Sequence, residues 1–70
     1  MDSQASLQSG IAELSSVGAQ LEDLTRRVLA TAESFDGDGH EHVAHELFEV
    51  ERSLRTATRR LSRAVRAAKD

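Results

Sequence analysis

Histidine and glutamate side chains, the types that bind metal ions, cluster just beyond the middle of this 70-residue chain. The cluster comprises His40, Glu41, His42, His45, Glu46 and Glu49. On a helix, His42, His45 and Glu49 would lie on adjacent turns, where they could bind zinc or nickel weakly. The sequence has no second ligand set, and glutamates are ordinary at the start of a helix. We therefore interpret the histidines as incidental surface residues and expect no metal or other cofactor.

The segment Asp36-Gly37-Asp38-Gly39 resembles the start of a calcium loop. An EF-hand loop beginning at Asp36 would need glycine at its sixth position and glutamate at its twelfth, but Glu41 and Leu47 stand there. The glycines also lack the preceding strand and the GxxxxGK pattern of a phosphate-binding loop. None of the serines lies in a nucleophile-elbow context. The sequence predicts a turn here and no enzyme activity.

Arginines recur at spacings of three and four near the end of the chain, which places them along one side of a helix. They are Arg52, Arg55, Arg59, Arg63 and Arg66. Such a stripe could follow a phosphate backbone or hold an acidic protein. It has no interleaved aromatic residue for base stacking and no Asn or Gln for base edges. We favour a solvated face balanced by the protein's own acids, with an anionic partner as the alternative.

The net charge of −3 conceals a segregation along the chain. Residues 1–51 carry eleven acidic and two basic side chains, whereas residues 52–70 carry seven basic and one acidic. In a folded hairpin, Glu13, Glu22 and Asp23 would lie beside the basic segment. The chain has no cysteine, no membrane-length apolar run and no recognisable secretory signal at Met1. We expect a cytoplasmic protein, and the preference for arginine over lysine hints at a bacterial source.

Apolar residues recur at 4-3 spacing in both halves of the chain, which is typical of coiled-coil helices. The first half gives Leu7, Ile11, Leu14, Gly18, Leu21, Thr25, Val28 and Ala32; the second gives Val43, Leu47, Val50, Leu54, Ala57, Leu61, Ala64 and Ala68. Folded back, they pair from Leu7–Ala68 to Ala32–Val43, with Gly18 against Ala57. The prediction is an all-α, antiparallel, coiled-coil-like two-helix hairpin that dimerises into a four-helix bundle.

The sequence predicts a single domain with four segments. They are a frayed segment at 1–8, helix 1 at 9–34, a turn at 35–38 and helix 2 at 39–68. A start of helix 1 as early as Ser3 is the alternative. Gly37 is expected to adopt the left-handed conformation that ends a helix. Asp38 is expected to cap helix 2, with Glu41 completing a capping box. Thr25, the one polar residue in the stripes, is expected to bond the carbonyl of Leu21.

Some apolar residues are left outside the two stripes. They are Val17, Leu24, Leu29, Phe48 and Val65. A chain this small buries little surface alone, and without disulfides the remaining remedy is association. We predict that these residues bind a partner. A second copy is favoured over a different protein or a monomer, because a second hairpin would complete a four-helix bundle.

The plan of two heptad helices resembles the Rop family of small plasmid copy-number regulators. Those proteins are helical hairpins that dimerise into four-helix bundles and bind paired RNA loops. The resemblance concerns length and heptads, and no motif transfers a functional residue. Small helical anti-sigma factors and adaptors share the same generic plan. We expect a non-catalytic regulatory or adaptor protein acting through protein contacts, with a Rop-like nucleic-acid binder that uses the basic face of helix 2 as the alternative. No membrane association is expected.

Overall fold

Two α-helices joined by a short turn account for residues 3–70, the part of the chain described by the computed structural model. Helix α1 spans Ser3–Gly37 and helix α2 spans Glu41–Lys69. They pack against each other as a hairpin, a rod with extents of 57 × 15 × 13 Å. The predicted all-α two-helix hairpin is therefore confirmed, and residues 3–70 contain no strand.

Helix α1 is longer at both ends than the predicted 9–34. It includes residues 3–8, which belong to the segment predicted to fray, and all of residues 3–10 are exposed. Met1 and Asp2, which complete that segment, lie outside the described residues. At its other end α1 continues through most of the predicted turn at 35–38. Helix α2 starts at Glu41 and ends at Lys69, close to the predicted 39–68.

A Schellman motif closes α1 and forms the turn. The His40 N–H donates to the Phe35 carbonyl at 2.8 Å, and the Gly39 N–H donates to the Asp36 carbonyl at 3.3 Å. These two bonds join the residues that define the motif. The accompanying side-chain contact is also present, because the rings of Phe35 and His40 meet edge to face with centroids 5.9 Å apart. The turn is therefore fixed by both backbone bonds and side-chain packing.

Two predicted roles in the turn are wrong. Gly39, and not Gly37, has the left-handed conformation, with φ of +85°. Since Gly37 remains helical, the reversal falls two residues later and His40 becomes the N-cap of α2, with no side-chain capping bond. Asp38 then lies too early in the chain to cap α2. The acid at Glu41 still occupies the first turn of α2, where it complements the positive end of the helix dipole.

The core-facing line of α1 follows the predicted 4-3 repeat. Its partly or fully buried members are Ile11, Leu14, Gly18, Leu21, Thr25, Val28, Ala32 and, one step further on, Phe35. Leu7, at the open end of the hairpin, is 42% exposed. The Thr25 hydroxyl donates to the Leu21 carbonyl at 2.6 Å, as predicted. Local periodicity was sufficient to orient this helix.

The predicted line of α2 is wrong at every second position. The predicted and observed lines share Leu47, Leu54, Leu61 and Ala68, but the positions between are Ala44, Glu51, Thr58 and Val65, not Val43, Val50, Ala57 and Ala64. Val43 and Val50 are 44% and 45% exposed. The rotation brings Phe48 and Val65 into partial burial. Phenylalanine buries more area than valine, which favours this orientation.

The register also differs from the predicted one. A Cβ built on Gly18 would lie 3.8 Å from Cδ2 of Leu61, one helical turn beyond the predicted partner Ala57. Ala57 itself is exposed. Because α1 continues to Gly37, the centre of the turn lies later in the chain than predicted. In an antiparallel hairpin, moving the centre of the turn by one residue changes the partner of each α1 residue by two positions on α2. The predicted pairing of Gly18 with Ala57 is therefore wrong, and a methyl group fits at Gly18.

The core between the helices is thin. Ala32 and Ala44 are the only apolar residues among 3–70 classed as buried, and no large side chain in that range is fully buried. The radius of gyration is 16.3 Å, whereas a compact domain of this length would have about 11 Å. Most apolar side chains consequently retain one side open to solvent.

Candidate protein-interaction surface

The two sides of the hairpin differ in chemistry. On one side, a groove open to solvent is lined by polar and charged residues of both helices, which are Glu22, Thr25, Arg26, Arg55, Thr58 and Arg59. On the other side, a groove is lined by Leu24, Arg27, Val28, Thr31 and Leu47. The second side is the more apolar of the two.

An apolar face extends along this second side. Val43, Val50, Ala57 and Ala64 recur every seven residues and so form one line on α2, and all four are exposed. Val43 and Val50 each lie about one turn from Leu47, which shares a groove with Leu24 of α1. We call Leu24, Val43, Val50, Ala57 and Ala64 the apolar face. Leu24, Val43 and Val50 are 42%, 44% and 45% exposed.

The five predicted partner-binding residues do not form one surface. Val17 and Leu24 lie seven residues apart on the apolar-face side of α1, Val17 half-buried and Leu24 exposed. Leu29 and Phe48 lie beside the core on the opposite side of each helix, and both are half-buried. Val65 belongs to the core line of α2 and shares a groove with Leu14. The 4-3 repeat had assigned Val43 and Val50 to the core, so the sequence did not identify them as candidate binding residues.

One charged residue lies on the core line of α2. Glu51 is 9% exposed, and its carboxylate lies 2.5 Å from Nε of Arg55. The Arg55 side chain is 60% exposed, so a guanidinium group at the surface balances the charge of the buried Glu51 carboxylate. Thr58, one step along, donates its hydroxyl to the Leu54 carbonyl at 2.8 Å. Both polar core positions thus have partners within α2.

The predicted arginine stripe is exposed along its whole length. Arg52 and Arg55 near its start pair with Glu49 and Glu51. Every ion pair found in residues 3–70 joins two residues of one helix, including Arg26 and Arg27 with Asp23. Glu22 lies beside the basic segment, as predicted, because it lines a groove with Arg55 and Arg59. No ion pair in the described residues joins Glu13, Glu22 or Asp23 to that segment.

The last part of α2 is positively charged, and we call this segment the basic end. It comprises Arg59, Arg60, Arg63, Arg66 and Lys69, all exposed. Arg59 donates to the Thr56 hydroxyl at 3.4 Å. Within residues 3–70 none of the five forms an ion pair with an acidic side chain. The basic end is thus available to an anionic surface.

The histidine cluster lies around the start of α2. His40 packs on Phe35 in the turn, and His42 and His45 are exposed. No group of three or more His, Cys, Asp or Glu side chains within residues 3–70 is arranged to hold a metal ion. His42, His45 and Glu49 remain weak candidates on the criterion of spacing alone.

The fold and surface define a small antiparallel helical hairpin with one apolar side and a charge-segregated second helix. Neither helix of residues 3–70 is long and apolar enough to cross a membrane. Comparison of the chain with family models, with curated proteins and with solved structures gave no significant match. The likeness to Rop therefore concerns general architecture alone.

Proposed function

We propose that this protein is a non-catalytic regulatory or adaptor protein of the cytoplasm, acting through protein–protein contacts at its apolar face. The observation that carries the proposal is the exposure of Leu24, Val43 and Val50 at 42%, 44% and 45% in a hairpin whose fully buried apolar residues, within 3–70, are two alanines. An apolar line of this kind on a small domain marks an interaction surface. In this proposal, association completes the core that the single hairpin lacks.

Self-association is the simplest form of this contact. Burying a valine or leucine fully is worth about 1.5–3 kcal/mol, so the exposed part of each such residue offers roughly half of that. A second hairpin would bring the same residues to the contact, doubling the gain, and would produce a homodimeric four-helix bundle. The lack of cysteine supports this route to stability, because disulfides are not an option.

A non-catalytic role is supported by the surface and by the sequence. The grooves beside the helices are open to solvent and so offer little means of excluding water from a reacting group. The sequence supplies no cysteine and no serine in a nucleophile-elbow context. These features favour recognition over chemistry.

Sedimentation velocity over a range of concentrations tests the proposal. The wild-type chain is expected to sediment as a dimer, and Val50→Asp is expected to shift it to monomer, because an aspartate would be desolvated at the contact. Ala30→Asp, on the exposed outer side of α1, is the control and should leave the dimer intact. Two results together would refute the proposal. The wild-type chain would stay monomeric and helical at every concentration, and it would capture no protein from its source cell that Val50→Asp fails to capture.

A second candidate function is favoured by the basic end. Because Arg60, Arg63, Arg66 and Lys69 have no ion-pair partner in residues 3–70, they could bind a phosphate backbone in a Rop-like manner. Titration of RNA and DNA at low salt tests this. Binding that weakens in Arg63→Gln and Arg66→Gln but not in Arg26→Gln would support it, and no binding at low salt would exclude it.

A further inference from the structure

Charge is distributed unevenly along the rod. The half nearer the turn, residues 21–57, carries nine acidic and four basic side chains. The open half, residues 3–20 and 58–70, carries five basic and two acidic side chains. Since ion pairs in the described residues form within single helices, this polarity is not cancelled across the hairpin. The rod is negative towards its turn and positive towards its open end.

We propose that the apolar face binds a second copy of the chain with its rod reversed, so that the turn of each copy lies beside the open end of the other. This inference rests on the proposed function and specifies its partner and arrangement. The reversed packing places the basic end of each copy beside the acidic turn half of its partner. A parallel packing would place like charges side by side along the whole rod, which is unfavourable.

The exposed residues of the apolar face have sizes that suit this arrangement. An α-helix rises about 1.5 Å per residue, so from Gly39 Val50 lies about 16 Å, Ala57 about 27 Å and Ala64 about 38 Å along the rod. A twofold axis at Ala57 therefore sets Val50 of one copy opposite Ala64 of the other. Large residues then face small ones, which allows interdigitation.

The same axis pairs the remaining exposed apolar residues. Val43 lies about 6 Å from the turn and Leu7 about 48 Å, so the axis brings them to the same height, on α2 of one copy and α1 of the other. Val17 and Leu24, at about 33 Å and 22 Å, likewise exchange places. The axis lies close to the middle of the 57 Å rod, so the two copies overlap along nearly their whole length. One axis thus places the exposed side chains of Leu24 and Val50 opposite apolar residues of the other copy.

Cysteine cross-linking of the full chain tests the arrangement, because the native sequence has no cysteine to interfere. Three single variants are needed: Ala57→Cys, Val50→Cys and Ala64→Cys. Disulfides form only where Cα atoms lie about 4.4–6.8 Å apart. Sedimentation of each variant in reductant first establishes whether it still associates. Oxidation is then followed on non-reducing gels for each variant alone and for an equimolar mixture of Val50→Cys with Ala64→Cys.

The reversed dimer predicts that Ala57→Cys links to itself, that Val50→Cys and Ala64→Cys alone stay unlinked, and that their mixture gives the mixed disulfide. Self-linking of both Val50→Cys and Ala64→Cys would show a parallel dimer and overturn this arrangement while leaving self-association intact. Variants that dimerise in reductant but link at none of these positions would place the interface elsewhere and also overturn it. Chains that are monomeric in reductant would refute self-association itself.

Discussion

The Glu51 carboxylate lies 2.5 Å from Nε of Arg55, one turn further along α2, and this contact joins an acidic side chain that is 11% exposed to a basic side chain that is 60% exposed. A carboxylate that is nearly removed from water needs a charged partner. By contrast, the pair of Arg52 with Glu49 has both side chains at least half exposed. The two pairs have the same chemistry and different surroundings.

Arg55→Ala is expected to lower the free energy of unfolding by about 1–2 kcal/mol, because it leaves the Glu51 carboxylate poorly compensated. Arg52→Ala is the matched control: it makes the same substitution on the same helix but breaks an exposed pair worth about 0.5 kcal/mol or less. Urea unfolding followed by circular dichroism at 222 nm would measure both at one protein concentration. Equal losses for the two variants would show that Glu51 is well hydrated and needs no partner.

Glu51→Leu is expected to raise stability by about 1–3 kcal/mol, since an apolar side chain on the core line gains burial and the freed arginine remains in solvent. Glu46→Leu, on an exposed position of the same helix, is the control and should change stability by less than about 0.5 kcal/mol. Thermal unfolding would compare them. A destabilised Glu51→Leu would mean that the ion pair is needed to set the orientation of α2.

Gly39→Ala is expected to destabilise the hairpin by about 1 kcal/mol, because Gly39 has φ of +85° and a Cβ penalises that conformation. Gly37→Ala, two residues earlier and helical, is expected to stabilise it by up to about 1 kcal/mol. A Cβ at either position meets nothing within 4 Å, so sterics with other residues do not complicate the comparison. Opposite signs in urea unfolding would support the turn geometry. The reverse assignment would place the left-handed residue at Gly37.

Gly18→Ala is expected to stabilise the hairpin by about 1 kcal/mol through helix propensity. The added methyl group would lie 3.8 Å from Cδ2 of Leu61, an ordinary contact that adds a little burial. Gly10→Ala, exposed and close to the start of α1, should give a smaller gain because helix ends are less ordered. Unfolding in urea would again report the difference. A loss of stability at Gly18 would indicate a closer approach of the helices than the structure shows.

The turn illustrates how far local sequence could be used. Glycine and aspartate between two apolar repeats predicted a reversal near residue 37, and the reversal occurs two residues later, at Gly39. The left-handed glycine is the one that lets Phe35 pack against His40 and so completes the Schellman motif. Side-chain contacts of that kind are not visible in residue spacing. This two-residue error in the turn also produced an error in the register: Gly18 faces Leu61 and not the predicted Ala57.

The sequence by itself determined the two helices, the turn between them, the core line of α1 and the Thr25 bond, since each depends on apolar periodicity or on interactions within a few residues. Only the tertiary structure decided how α2 rotates about its own axis. Two alternative 4-3 repeats on α2, one through Val43 and Val50 and the other through Ala44 and Glu51, share Leu47, Leu54 and Leu61. Periodicity alone cannot choose between these two repeats. The choice depends on burial summed over both helices, which favours Phe48 and Val65 and is compatible with Glu51 because Arg55 pairs with it. That rotation leaves Val43 and Val50 in solvent and so creates the surface on which the proposed function rests.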